Sequence, residues 1–183
     1  FMLFGLLASI LFLSFPVQAQ NTQNFSINSF DGYYRLTKNS QDVSQLETDE
    51  FIQAQFPNFD QNHGILRAIP QSYNGFPQGI KIVRVDKRAD PSAPTANTWV
   101  FSSSDENGNL VLKIGAPDEY VKGVQNFHIN YTSINVTQNS GDYDEFYWNV
   151  NGTQWQQTIA KASATIILPP TLSNSLDLSR DPL

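Results

Sequence analysis

"NFHINYTSI", Asn126–Ile134, decides the fold class of this 183-residue chain. Phe127, Ile129 and Tyr131 alternate with His128, Asn130 and Thr132, and a period of two is what an extended strand needs to sort residues onto two faces. The apolar trio is expected inward and His128, Asn130 and Thr132 outward. Neighbouring stretches repeat the pattern. In "DEFIQAQF", Asp49–Phe56, the residues Ile52, Ala54 and Phe56 share one face and Gln53 and Gln55 the other. "EFYWNV", Glu145–Val150, puts Phe146, Trp148 and Val150 on one side, which predicts a largely buried Trp148. "ASATIILP", Ala162–Pro169, does the same with Ala164, Ile166 and Leu168.

Turn residues punctuate these runs. Asn107-Gly108, between "TWVFS" and "LVLKIG", supplies the positive φ angles of a tight hairpin. Asp31-Gly32, between "FSINSF" and "YYRLT", reads as a second hairpin turn. "IKIVRV", Ile80–Val85, changes phase between Ile82 and Val83, which predicts a bulge or burial on both faces. Asp86–Asn97, with two prolines and no period, is a loop. In "GTQWQQTIAKA", Trp155 and Ile159 lie four apart, which predicts one or two helical turns within Thr153–Ala162, capped by Thr153. Eight or nine short strands without a long amphipathic helix make an all-β β-sandwich. It is Ig-like in architecture only, since the chain has no cysteine and so no disulfide.

The first nineteen residues differ from the rest. The apolar run Met2–Phe15, then Pro16 and Val17-Gln18-Ala19, reads as a hydrophobic signal helix cleaved after Ala19, with an uncleaved anchor as the alternative. Fourteen residues are short for a bilayer span, which needs about 20. The chain opens on Phe1 without a basic n-region, as a fragment would. Residues 20–24 form a flexible leader, 25–168 the sandwich domain, and 169–183 a polar, truncated tail. Thirteen Phe and seven Tyr, many beside Thr, Val and Ile, supply the core and favour strands. A net charge of −6 argues against nucleic acid, which needs clustered Lys and Arg.

Six segments occur in order: "SFDGYYRL", "FPNFDQNHGILRAIPQSY", "NGNLVLKIG", "DEYVKGVQNFHINYT", "DEFYWNVNGTQW" and "ATIILP". Together, over Phe25–Leu168, they resemble the N-terminal extracytoplasmic domain of the predicted membrane proteins grouped as DUF2207. The resemblance implies an exported β-rich domain of a prokaryote, normally followed by transmembrane helices and a cytoplasmic region. Membrane attachment would then run through segments missing from this chain or through an uncleaved N-terminal helix. No catalytic or ligand-binding residue is carried over. The two most elaborate segments contribute a structural signature: His63, Gly64, Arg67 and Pro70 from one, and Asp144, Glu145, Tyr147, Trp148, Asn149, Gly152 and Trp155 from the other.

His63, before Gly64, reads as a turn residue rather than a base or ligand, and with His128 it makes no metal-spaced pair. No nucleophile elbow occurs, so no catalytic residue, cofactor or metal ligand is assigned. Asp142, Asp144 and Glu145, and likewise Asp105, Glu106 and Asn109, read as solvated or paired carboxylates and amides rather than calcium ligands. Arg67 shares the apolar face of Ile65 and Ile69, and a charge there needs a carboxylate partner. Asp144 or Glu145 is the expected one. Tyr143, Tyr147, Trp148 and Trp155 read as a small core or a groove for carbohydrate or peptide. The expected function is a non-enzymatic extracytoplasmic module for binding, sensing or assembly at the cell envelope, with an envelope protein or glycan as partner. The rivals are an envelope carbohydrate-active hydrolase using carboxylates near Asp142–Glu145, and an edge strand that recruits a partner segment.

Overall fold

The computed structural model describes residues 24–94, 96–139 and 141–173. The expected signal helix, most of the leader and the last part of the tail lie outside the described residues. The strands are β1 (Ser26–Lys38), β2 (Ser44–Phe56), β3 (Ile65–Pro70), β4 (Ser72–Tyr73), β5 (Phe76–Pro77), β6 (Lys81–Asp86), β7 (Phe101–Glu106), β8 (Asn109–Ile114), β9 (Gly123–Ile134), β10 (Thr137–Asn139), β11 (Asp144–Phe146) and β12 (Ala162–Ile167). A single helical turn, α1 (Pro170–Ser173), follows.

Two sheets carry the fold. The larger has the order β12-β1-β2-β9-β6 and the smaller β3-β8-β7, with the short ribbons β4-β5 and β10-β11 beside them. β12 runs parallel to β1, while the other pairs are antiparallel. Register explains the core. Phe30, Ile52 and Phe127 lie in one row across the larger sheet, and Gly32, Glu50 and Ile129 in the next-but-one row on the same face. Facing them from the smaller sheet are Ile65, Ile69, Leu112 and Ile114, and these apolar groups form one buried cluster. Apart from α1, the described residues are all-β and sandwich-like.

Ile52, Ala54 and Phe56 are buried as their alternation demands. Asn107 (φ 50) and Gly108 (φ 77) turn the β7-β8 hairpin, and the β6 register shifts between Ile82 and Arg84, which places the bulge at Val83.

Four expectations need correction. Asp31-Gly32 is not a turn: β1 passes straight through it, paired on both sides. Gly32 is there because the ring of Tyr34 lies over it, and a Cβ would collide with that ring. The expected helix within Thr153–Ala162 does not form. Ile159 instead bridges Ile27 in parallel, Ile27 N donates to Thr158 O (3.0 Å) and Ala160 N to Ile27 O (2.9 Å). Sheet pairing outweighs the local i,i+4 contact, which stabilises by only about 0.2–0.5 kcal/mol. His128 and Asn130 are on the outer face yet buried, because the segment after β6 folds back over that face. Trp148 is half-buried rather than buried; with Phe146 and Val150 it does pack on one side, over Tyr34, Leu36, Leu46 and Val136.

Candidate functional site

Three places gather the chemistry-bearing residues. The first is buried. β3 turns Arg67 into the core, where Nε donates to Glu50 Oε2 (2.8 Å) and Nη2 to Glu50 Oε1 (2.6 Å). The Tyr131 hydroxyl donates to the same Oε1 (2.9 Å), and Arg67 Nη1 donates to the carbonyls of Ala68 (2.9 Å) and Asn151 (3.3 Å). Tyr34, whose hydroxyl donates to Val150 O (3.1 Å), completes the surroundings. Burial would lower the Arg67 guanidinium, but the Glu50 carboxylate outweighs it and holds the group above its ordinary value. Burial, reinforced by Glu50, pushes the Tyr34 and Tyr131 hydroxyls above the ordinary phenol range. A bidentate pair with these added bonds is the satisfied form of a buried charge.

Arg67 therefore does meet the second signature segment, through the Asn151 carbonyl, but its carboxylate partner is Glu50 and not Asp144 or Glu145. Both of those are exposed on β11, where Asp144 accepts from Asn139 Nδ2 (3.0 Å). A carboxylate on the inward face of β2 between Thr48 and Ile52 was the available signal: Glu50 is as anomalous on that face as Arg67 is on its own. Gly152 (φ 74) is required here, since a Cβ would sit 2.5 Å from Arg67 Nη1. Asn149 Oδ1 accepts from Gly152 N (3.1 Å) and holds that bend.

The second place is a groove of about 530 Å³ at the end of the β3-β8 pair. Gly64 and Gly115 form its floor. Their backbones approach so closely that a Cβ on either would run into the carbonyl before the other, Ile114 O or His63 O. Phe25 and Trp155 line it, with His63, Lys113, Gln154 and Gln156 supplying polar groups. Trp155 Nε1 donates to Asn151 O (2.8 Å), which fixes the ring. His63 Nδ1 lies 2.9 Å from Glu119 O, and its ring packs 4.3 Å from that of Tyr120. A carbonyl only accepts, so Nδ1 carries the hydrogen and Nε2 is the acceptor of the neutral ring. His63, Gly64 and Trp155, far apart in sequence, meet at this groove. Pro70 and Tyr147 do not join it: Pro70 ends β3, and Tyr147 stacks on Tyr73 at 5.3 Å.

The third place, unforeseen in the sequence, is the outer face of the larger sheet. His128 Nε2 is 2.7 Å from Asp49 Oδ1, and Nδ1 is 3.1 Å from Asp86 Oδ1. Phe51 stacks on the imidazole at 4.5 Å, and Arg88, from the segment after β6, reaches Asp86 Oδ2 at 3.3 Å and covers the cluster. Burial pushes the Asp49 carboxyl up, but His128, Asn130 and Arg88 together outweigh it and hold the group below the ordinary carboxylate range. A depressed pKa contributes stability that is present above the unfolded value, near 3.8, and lost as pH falls through the folded one. Asp49→Asn is accordingly expected to unfold more easily than the parent chain at pH 7, with the gap closing below about pH 4 in denaturant titrations.

Among the described residues no group of three or more His, Cys, Asp or Glu could hold a metal ion, and no helix is long and apolar enough to cross a membrane. The model of the N-terminal domain of the predicted membrane proteins called DUF2207 matches residues 26–180. The chain belongs to the DUF2207 family. The DUF2207 match begins at the first residue of β1 and takes in every strand, so the buried centre, the outer-face cluster and all of the groove's lining except Phe25 lie within the family domain. No curated protein matches the chain.

Proposed function

We propose that this DUF2207 domain is a non-enzymatic binding module of a membrane protein, held on the extracytoplasmic side at the cell envelope, with the groove beside Trp155 as its contact site. The observation that carries the reading is the convergence of His63, Gly64 and Trp155, from both signature segments, on one groove. The frame is Ig-like in its layering of two facing sheets. The apolar run Met2–Phe15 supports export. Glycoside hydrolysis draws on two carboxylates about 5–10 Å apart, whereas the groove's titratable groups among the described residues are His63 and Lys113.

The test is cosedimentation of the full chain with envelope isolated from its source cells, with the supernatant assayed for released sugar. The expected result is saturable binding without release of product, lost when Gln156→Trp fills the groove. Steady release of sugar would replace this reading with the hydrolase, and absence of binding would end it.

A further inference from the structure

The chemistry of the groove narrows its occupant, on the reading that the groove is the contact site. Trp155 has Nε1 committed to the Asn151 carbonyl, so what it offers a ligand is the carbon of a ring already held in place. Sugar rings present flat C–H faces that suit a fixed aromatic surface. Around it, the amides of Gln154 and Gln156 both donate and accept, and His63 Nε2 accepts, a set that matches hydroxyl groups. Charge supplies the next constraint. In a chain of net charge −6, the groove carries Lys113 and, among its described lining residues, no carboxylate. Lys113 is exposed on β8, available to a ligand anion.

We infer that the groove binds an acidic glycan, a sugar chain bearing carboxylate or phosphate groups. A single lysine is too little for a nucleic acid, whose binding rests on many phosphate contacts. An added peptide strand would draw on free backbone groups, but at the groove floor Gly115 N already donates to Val100 O (2.8 Å).

Affinity electrophoresis of the full chain tests this, through gels containing polygalacturonate, glycerol-phosphate teichoic acid, dextran or polyglutamate. The acidic protein is expected to be retarded by polygalacturonate, by teichoic acid, or by both, and the first two gels separate a carboxylate from a phosphate source. Lys113→Glu, at an exposed position, should abolish retardation without moving the melting temperature. Trp155→Ala should weaken it about tenfold or more, as loss of a central aromatic contact does, and Trp155→Phe should restore most of it. Equal retardation by dextran would overturn the acidic class, equal retardation by polyglutamate the glycan, and no retardation in any gel the whole inference. Any of these three results alongside intact envelope cosedimentation leaves the binding module standing and removes only its ligand class.

Discussion

Glu50→Gln is expected to lower the unfolding free energy by about 3–5 kcal/mol, read as a fall in the urea midpoint. The change leaves Arg67 charged, buried and facing a neutral amide, and that uncompensated charge is the cost. Arg67→Met should cost a similar amount by leaving the carboxylate bare. Glu50→Leu with Arg67→Met should be milder than either single change, because a buried pair replaced by apolar groups is often near neutral. A residue of the loss should remain in that double variant. The Tyr131 hydroxyl, which donates to Glu50 at 2.9 Å, would be orphaned at about 1–3 kcal/mol. Adding Tyr131→Phe should recover it. Additive effects of Glu50→Gln and Arg67→Met would show that the two side chains do not form the unit described.

Gly115→Ala should be comparably damaging for a different reason. Gly115 has φ 133 and Gly64 φ 146, a region L residues rarely adopt, so the backbone alone contributes about 1–3 kcal/mol. The added methyl also meets the His63 carbonyl across the strand pair, and overpacking of that kind costs about 1–3 kcal/mol, occasionally more. Gly64→Ala repeats the collision from the other side, against Ile114 O. Either variant should melt well below the parent chain, whereas Gly108→Ala, which meets nothing within 4 Å, should lose only the backbone part. Equal losses at Gly108 and Gly115 would mean that the close approach has been misjudged.

Local signals in the sequence carried the strands well. A period of two needs no partner to be read, so Ile52, Ala54 and Phe56, the Asn107-Gly108 hairpin and the bulge at Val83 all stand where the pattern placed them. Features that depend on a distant partner did not show. Asp31-Gly32 has turn chemistry, yet Tyr34 required a glycine beneath its ring and two neighbouring strands held β1 extended. His128 sits on the polar side of its strand, and nothing within "NFHINYTSI" announces that Arg88 will cover it. The charge on Arg67 was legible as a demand for a carboxylate. Which carboxylate depends on how the two sheets stack, and Glu50 meets Arg67 only once the inward face of β2 lies opposite that of β3. The groove was half-visible: Trp155 and His63 were singled out separately, but their meeting depends on the long-range packing of residues after Gly152.

The parallel alignment of β12 with β1 has a mechanical consequence. Six residue pairs, from Phe30 with Ala162 to Arg35 with Ile167, run side by side in the same direction. Tension applied between Ser26 and Ile167 would pull these two strands lengthwise past each other, loading their rungs together instead of peeling them open one at a time. A pull along that line is borne by the seam as a unit, and rupture would have to break it at once.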